Sequence, residues 1–384
     1  LAFKYVFSKE EKNEEELEGD VSSFAALCTA LSSTIGTGNI VGVGLAITVG
    51  GAGAIFWMWI SAFFGMMTVF AEIALSAKYA GKSRGAFSYI EKIGKGKILP
   101  FVYGIGCVLS SLAMGNMAQA NSVAAAVSAV GVPNWLSGVV LAILLFMIAG
   151  KGIRGVAGVT EKLVPLMTLL FFGFSLVCLW RFRVNIPGAV GEIFEGAFSL
   201  RGGLGGAMFL AMKTGISRGV FTNEAGLGSS SMAFSNVRGK SPEELGYLGI
   251  FQVFLDTTVM CTLTGLCVLC CTDQREGEFL VRAAFQNAMG NWGAGGMNLC
   301  MGLFAFATMT ATCYYGQVGL NYISKNRLSG LFPYLFAGAA FLGCVLPLGQ
   351  VFVFCDAFNG LMAIPNILSL AYFSKEIFVI IHKT

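Results

Sequence analysis

The 384-residue chain is 55% hydrophobic and only 12% charged, with a formal net charge of +4. Soluble domains carry about 25% charged residues, so this composition leaves too little polar surface for a globule in water and points to a polytopic membrane protein. The single histidine, His382, stands in the C-terminal tail and no HExxH motif is present, which leaves no histidine-based nucleophile pair or metalloprotease site at membrane depth.

The chain opens on a charged stretch, residues 1–20, with Glu10, Glu11, Glu14, Glu15, Glu16 and Glu18 close together. It reads as a solvated cytoplasmic segment and not as a signal peptide. Residues 21–384 read as one transmembrane transport domain. Ten apolar stretches follow, at 22–49, 54–77, 99–130, 134–150, 163–182, 203–235, 243–271, 292–323, 329–347 and 350–380. Each is long enough, or nearly so, for a helix rising 1.5 Å per residue to cross a bilayer. Period-2 alternation is absent, so helices are expected rather than barrel strands. Lys and Arg concentrate in alternate connections, with only Arg181, Arg183, Arg201, Arg275 and Arg282 on the other side. That asymmetry places both termini in the cytoplasm, in an inner or plasma membrane.

Span 1 contains ALSSTIGTGNIVGVGLAI (Ala30–Ile47), where glycines alternate with Ser32, Ser33, Thr34, Thr37 and Asn39. Glycine costs about 1 kcal/mol in a helix, so this cluster marks a place where the helix unwinds. Unwound backbone offers carbonyls to a small cation and amides to a carboxylate. The competing reading is a small-xxx-small packing face, which Gly38 and Gly42 fit but Thr37 and Asn39 do not require. The inner connection SYIEKIGKGK (Ser88–Lys97) is expected to form a short amphipathic surface helix. In span 3, Asn116, Gln119 and Ser122 share a face, suited either to a zwitterion or to interhelical hydrogen bonds. The outer stretch 183–203, rich in glycine, reads as a loop with short helices.

Span 6, AMKTGISRGVFTNEAGLGSSSMA (Ala211–Ala233), is interrupted in the same way and carries Lys213, Arg218, Asn223 and Glu224. Glu224 is either a coupling group or one half of an ion pair with Arg218 that orients the broken helix. Spans 1 and 6 hold matching positions in two five-span halves, residues 21–182 and 203–380. An odd number of spans gives the halves opposite topology, hence an inverted repeat. Asp256 in span 7 is a candidate for cation or proton handling, or for a helix-to-helix hydrogen bond. In span 8, Thr308 and Thr312 share a face, and one hydroxyl there completes an oxygen shell beside span 1. Of the 11 cysteines, the Cys267, Cys270 and Cys271 cluster lacks acidic or histidine partners and reads as apolar filler. A channel would require a ring of equivalent filter groups, which two dissimilar broken helices do not supply. A non-transporting sensor on the same fold is the remaining alternative.

IGTGNIVGV (Ile35–Val43), GAIFWMWISAFFGM (Gly53–Met66), FAEIALSAKY (Phe70–Tyr79), GNMAQANSVA (Gly115–Ala124), RGVFTNEAGLGSS (Arg218–Ser230), FLDTTVMCTLTGL (Phe254–Leu266) and LFAFATMTATCYYGQ (Leu303–Gln317) together resemble the alanine or glycine:cation symporter family. The resemblance implies a leucine-transporter-like fold of two inverted five-helix repeats. It implies uptake of a small neutral amino acid driven by Na+, with H+ as the alternative coupling ion, by a protein without enzymatic activity and without a nucleic-acid partner, working as a monomer in the bilayer. Carried over, Na+ meets the carbonyls of Ser32 and Ile35 and the Thr308 hydroxyl. The substrate meets Thr37, Gly38, Asn39, Gln119, Met212, Gly215, Ile216 and Thr312, and Arg218, Asn223, Glu224 and Asp256 serve structure or coupling. The family carries a further span before the Asp20 region, so a preceding segment is expected. It also carries two adjacent hydroxyls where this chain has Ala307–Thr308, and a tryptophan where it has Thr312. The loss of an indole there implies a roomier pocket and a substrate larger than alanine or glycine.

Overall fold

A computed structural model describes residues 21–93, 96–128, 131–149, 151–199, 206–237, 239–273 and 280–381. The acidic segment 1–20 and His382 lie outside the described residues. The described chain is helical, with no strand. Helix α1 (Ser23–Thr34) starts where the Ser22 hydroxyl accepts from the Ala25 amide at 3.0 Å, an N-cap worth about 1 kcal/mol. It is followed by a 3-10 turn at Thr37–Asn39 and by α2 (Val41–Gly50), the two halves bent by 55°. Span 1 is therefore broken where its glycines predict.

Among the described residues, six helices are long and apolar enough to cross a membrane: α3 (Gly53–Lys78), α5 (Ile98–Ser128), α7 (Gly152–Arg181), α11 (Pro242–Cys271), α13 (Asn291–Ser324) and the stretch Phe354–Tyr372 of α15 (Leu348–Tyr372). The bent α1–α2 pair makes up to seven. Two shorter apolar helices, α6 (Asn134–Ile148) and α14 (Phe332–Val345), fall within expected stretches. The stretch at 203–235 is split into α9 (Gly206–Asn223) and a short α10 (Ser230–Phe234). Helix α13 is the hub. Its middle, Phe304 to Gly316, is almost wholly buried against α1, α5 and α7, as a helix apolar all round requires.

Three connections differ from expectation or add to it. Phe87–Ile90 forms one helical turn, α4, but its four side chains are 0–3% exposed, so it is part of the core and not a surface helix. Phe87 stacks on Tyr322 and packs edge-on to Tyr103, and this aromatic burial outweighs the amphipathic pattern read around it. The stretch after α7 holds a 3-10 turn and the 12-residue helix α8 (Ile186–Ala197), whose end receives the Trp57 indole N–H on the Ala197 carbonyl at 3.2 Å. A helix not expected from the sequence, α12 (Leu280–Met289), buries Leu280, Val281, Ala284, Phe285 and Ala288 and covers α2, with Val281 against Gly44. At the C-terminal end of α3, Lys78 pairs with Glu376 of α16 (Ser374–Ile381), and Tyr79 donates to the same carboxylate at 2.7 Å. These two donors hold the Glu376 carboxyl below its ordinary range, so the contact is present above that range and is lost as acid protonates it.

Helix α8 reaches α3 so closely that a Cβ on Gly53 would stand 2.2 Å from the Gly196 backbone. Backbone cannot yield as a side chain can, so Gly53→Ala is expected to destabilise the protein by about 1–3 kcal/mol. The check is a thermal melt of the purified protein in detergent against Gly173→Ala, inside helix α7, where nothing lies within 4 Å of the added carbon.

Candidate functional site

The break in span 1 is made by diverting two backbone donors. In a continuous helix the amides of Gly36 and Thr37 would bond to the carbonyls of Ser32 and Ser33. Instead Gly36 N–H donates to Asn39 Oδ1 at 2.9 Å, and Thr37 N–H donates to Gln119 Oε1 at 3.1 Å. The Thr37 hydroxyl donates to the same Gln119 oxygen at 2.9 Å. The last carbonyls of α1 thus lose their helical donors inside the membrane, where a bare carbonyl is costly unless a ligand takes the donor's place. Ser32 is fully buried, and its hydroxyl bonds back to the Thr29 carbonyl, leaving its own carbonyl as its contribution to this end.

Span 8 closes the other side. Thr308 Oγ1 lies 3.4 Å from the Ile35 carbonyl, and Thr312 Oγ1 donates to the Gly115 carbonyl at 2.9 Å. Gly36 is obligatory here, since a Cβ would stand 2.5 Å from Thr308 Oγ1 and 3.2 Å from Gln119 Oε1. Ile35, Gly36, Thr37, Gln119, Thr308 and Thr312 therefore form one contiguous cluster. Helix α5 winds as a π-helix at Ala113–Met117, just before Gln119, which widens the helix beside Thr312. Gly115 has Thr312 pressed against it, 2.4 Å from where a Cβ would sit.

Asn39 and Asp256 form a second layer. Asn39 Nδ2 donates to Asp256 Oδ1 at 2.8 Å, Thr257 Oγ1 donates to Asp256 Oδ2 at 2.7 Å, and Thr257 meets Thr222 at 3.3 Å. Asp256 too lies on a π-helical stretch, Phe254–Cys261.

The structure does not bring every expected residue to this cluster. Gly215 faces α3, where a Cβ would meet the Ala54 carbonyl at 2.3 Å and Trp57 at 2.7 Å. Ile216 is 38% exposed, and Met212 is half-buried. Helix α9 runs unbroken to Asn223, so the interruption starts more than a turn beyond Gly215. The span 6 groups next to Gly38 are Thr222, 3.0 Å from its would-be Cβ, and Phe221 at 3.5 Å. The Arg218 guanidinium lies over the Phe221 ring at 5.5 Å, whereas Glu224 takes its hydrogen bond from the Ser229 hydroxyl. Asn223 Oδ1 accepts from Ala225 N–H at 3.0 Å and turns the chain out of α9.

The break itself holds Glu224, Gly226 and Gly228 at φ values of 56°, 91° and 71°, which favour glycine and strain glutamate. Its freed amides are collected by Glu72 of α3, which the sequence reading did not single out. Glu72 Oε1 accepts from Gly226 N–H at 2.8 Å, Gly228 N–H at 3.2 Å and Asn366 Nδ2 at 2.7 Å. Asn366 also donates to the Gly226 carbonyl at 2.8 Å, and Tyr103 donates to the Leu227 carbonyl at 2.9 Å. The signal was available: Glu72 is the one acidic residue in its apolar span, and an intramembrane ionisable residue is a functional candidate by default.

Replacing Glu72 by Ala leaves two amides and a carboxamide without their acceptor in a dry interior. A loss of about 1–3 kcal/mol per unmet donor is expected. The melting temperature and the uptake rate should both fall in Glu72→Ala, while Ser128→Ala, at the end of α5, should leave both unchanged.

The sodium:alanine symporter family is matched over residues 1–383. AgcS of Methanococcus maripaludis, a sodium/alanine symporter, is 38% identical across 97% of this chain and 86% of its own length. The amino-acid carrier protein AlsT of Bacillus subtilis is 30% identical across 98% of this chain and 83% of its own. Among solved structures, MhsT in complex with L-phenylalanine superposes with a TM-score of 0.66 at 15% identity, covering 92% of this chain and 88% of that one, which is a likeness of fold. AgcS and AlsT are named as a symporter and a carrier protein and not as enzymes. The chain belongs to the sodium:alanine symporter family, a family of cation-coupled amino-acid symporters.

Proposed function

We propose that the protein is a secondary active symporter that couples inward Na+ movement to uptake of a small neutral amino acid by alternating access. The observation that carries this reading is the diversion of the Gly36 and Thr37 amides beside Thr308 and Gln119. It exposes hard oxygen groups and a carboxylate-sized set of donors at the same point of a membrane helix. Na+ takes the carbonyls of Ser32 and Ile35 with the Thr308 hydroxyl. The chemistry fits, since Thr308 Oγ1 and the Ile35 carbonyl already face each other across the break.

Gln119 Oε1 accepts from both the amide and the hydroxyl of Thr37, which is the pattern a substrate carboxylate oxygen would take. Substrate binding therefore displaces the Gln119 oxygen and lets its carboxamide turn to the amino acid. Gly38 and Asn39 complete the span 1 wall. Phe221 and Thr222 supply the span 6 wall in place of Met212, Gly215 and Ile216, and the ammonium meets carbonyls of the span 6 break. Ten spans in two inverted halves, residues 21–182 and 203–380, put both breaks at mid-membrane with both termini in the cytoplasm of an inner (plasma) membrane. The working unit is one chain.

In proteoliposomes, an inward Na+ gradient is expected to drive accumulation of a small neutral amino acid, and replacing Na+ by K+ should abolish it. Each ligand must tighten the other by the same factor. Equal amino-acid affinity with and without Na+ would rule the reading out. A second expectation concerns size. With Thr312 in place of an indole, threonine, methionine or glutamine should compete better than alanine or glycine, and Thr312→Trp should reverse that order by on the order of tenfold, the effect of about 1.4 kcal/mol of lost contact. Competition uptake of the five amino acids measures both.

A further inference from the structure

Between α5, the span 6 break, α13 and α15 lies a cavity of about 20 Å³, room for one water-sized group. It adjoins the span 1 cluster at Gly115 and Thr312. Its wall also includes Met114, whose carbonyl accepts from the Gln119 carboxamide at 3.3 Å. Along α13, Thr308, Thr312 and Tyr315 share one face, and that face runs from the span 1 break into this space. A side chain projecting from an amino acid held at Thr37 and Gln119 has the cavity beside it.

The polar part of the wall has a definite sense. Ser110 gives its proton to Asn359 Oδ1 at 2.6 Å, Ser111 to the Val108 carbonyl at 2.9 Å, and Thr312 to the Gly115 carbonyl at 2.9 Å. Ser229 gives its proton to Glu224. Each of these hydroxyls has spent its single O–H and offers only lone pairs to a further partner. No side chain with an N–H group lines the cavity. Tyr315 is the exception. It is 4% exposed, and its hydroxyl makes no hydrogen bond. The Ser33 hydroxyl near it gives its own proton to the Ala30 carbonyl at 2.8 Å and is not joined to it. A bare hydroxyl at this depth is costly, and a ligand that pairs with it recovers that cost.

The wall therefore suits a group that donates one hydrogen bond, to a serine or threonine oxygen, and accepts one, from Tyr315. An alcohol does both within one water-sized volume. A methyl group does neither, and a thioether offers no donor. A carboxamide brings two polar heavy atoms into a space that admits one. We propose that this cavity is the side-chain subsite for the amino acid, that it selects a short hydroxyl-bearing side chain, that of serine or threonine, and that Tyr315 reads the hydroxyl. The statement deepens the symport reading and rests on it for transport, but the selection is observable in binding alone.

Threonine and valine test it, because they share a shape and differ by a hydroxyl in place of a methyl. Tritiated threonine is bound to the full chain in lipid nanodiscs with Na+ and displaced by unlabelled amino acids. Threonine should displace the label at a concentration at least about tenfold below valine, and serine likewise below alanine, because a site with a polar group to pair rejects the analogue that lacks the partner. In Tyr315→Phe, which keeps the ring and removes the hydroxyl, the lead of threonine over valine should shrink to within about twofold. A merely structural role for Tyr315 would weaken both amino acids together and leave their ratio unmoved. The ratio in the parent needs no variant, so it decides the matter even where Tyr315→Phe fails to fold. No Na+-dependent binding of threonine, valine or methionine matching threonine in the parent, or an unmoved ratio in a folded Tyr315→Phe, would overturn the proposal. Na+-driven uptake that ignores the hydroxyl would overturn the subsite and leave the symport reading standing. A chain that binds threonine ahead of valine but moves no amino acid in proteoliposomes would sink the symport reading and support the subsite.

Discussion

Everything at the centre of this protein depends on where two amides of span 1 send their hydrogen bonds. In lipid, a backbone donor must find a protein partner, and a helix is the default solution. Gly36 and Thr37 find side-chain oxygens instead, on Asn39 and Gln119. The chain can then turn by 55° without leaving either donor unmet. The carbonyls released by the same change become the groups that can hold an ion. Local satisfaction and ligand binding are thus two faces of one rearrangement. Neither Asn39 nor Gln119 can be removed from that arrangement without re-forming the helix or stranding a donor.

The second break is supported differently. Span 6 has no side chain of its own that gathers all its freed amides, so α3 and α15 reach in through Glu72 and Asn366. The first break is held by short-range and mid-range contacts to groups that also face the site, whereas the second is clamped from behind. Asn39 and Gln119 are as deeply buried as Glu72, so what separates the breaks is where the partners stand: Gln119 adjoins Gly36, whereas Glu72 meets the span 6 backbone and Asn366. On the function proposed above, span 1 is the half whose bonding a substrate rewrites, and span 6 is the reference against which that rewriting acts.

Much of this was legible in the sequence. Apolar runs gave the six long helices and the bent first pair seen among the described residues, because lipid leaves few alternatives, and the glycine and hydroxyl cluster at 36–39 gave the first break. The register of span 6 was not legible: Gly215 and Gly219 look like further interruptions but are packing glycines, with Ala54 and Ser61 of α3 pressed against them. Only the positive φ values at Gly226 and Gly228 separate the breaking glycines from the packing ones, and sequence does not carry φ. The Asn366 partner of Glu72 was hidden for another reason. It lies 294 residues away, and no local pattern announces a pairing across that distance. Nor does composition tell a buried turn from a surface one when, as at Phe87–Ile90, the aromatic residues decide.

The distance between Glu72 and its partners bears on how the chain is made. Synthesis runs from the N-terminus, so span 2 enters the bilayer long before Gly226 and Gly228, 154 and 156 residues later, or Asn366 at the far end. During that interval the nascent protein carries an acidic group at depth with its acceptor capacity unmet, a state that costs several kcal/mol in lipid. Span 2 must therefore wait beside water, a neighbouring nascent helix or the insertion machinery, and final assembly around it is a late event that closes only when the last span arrives.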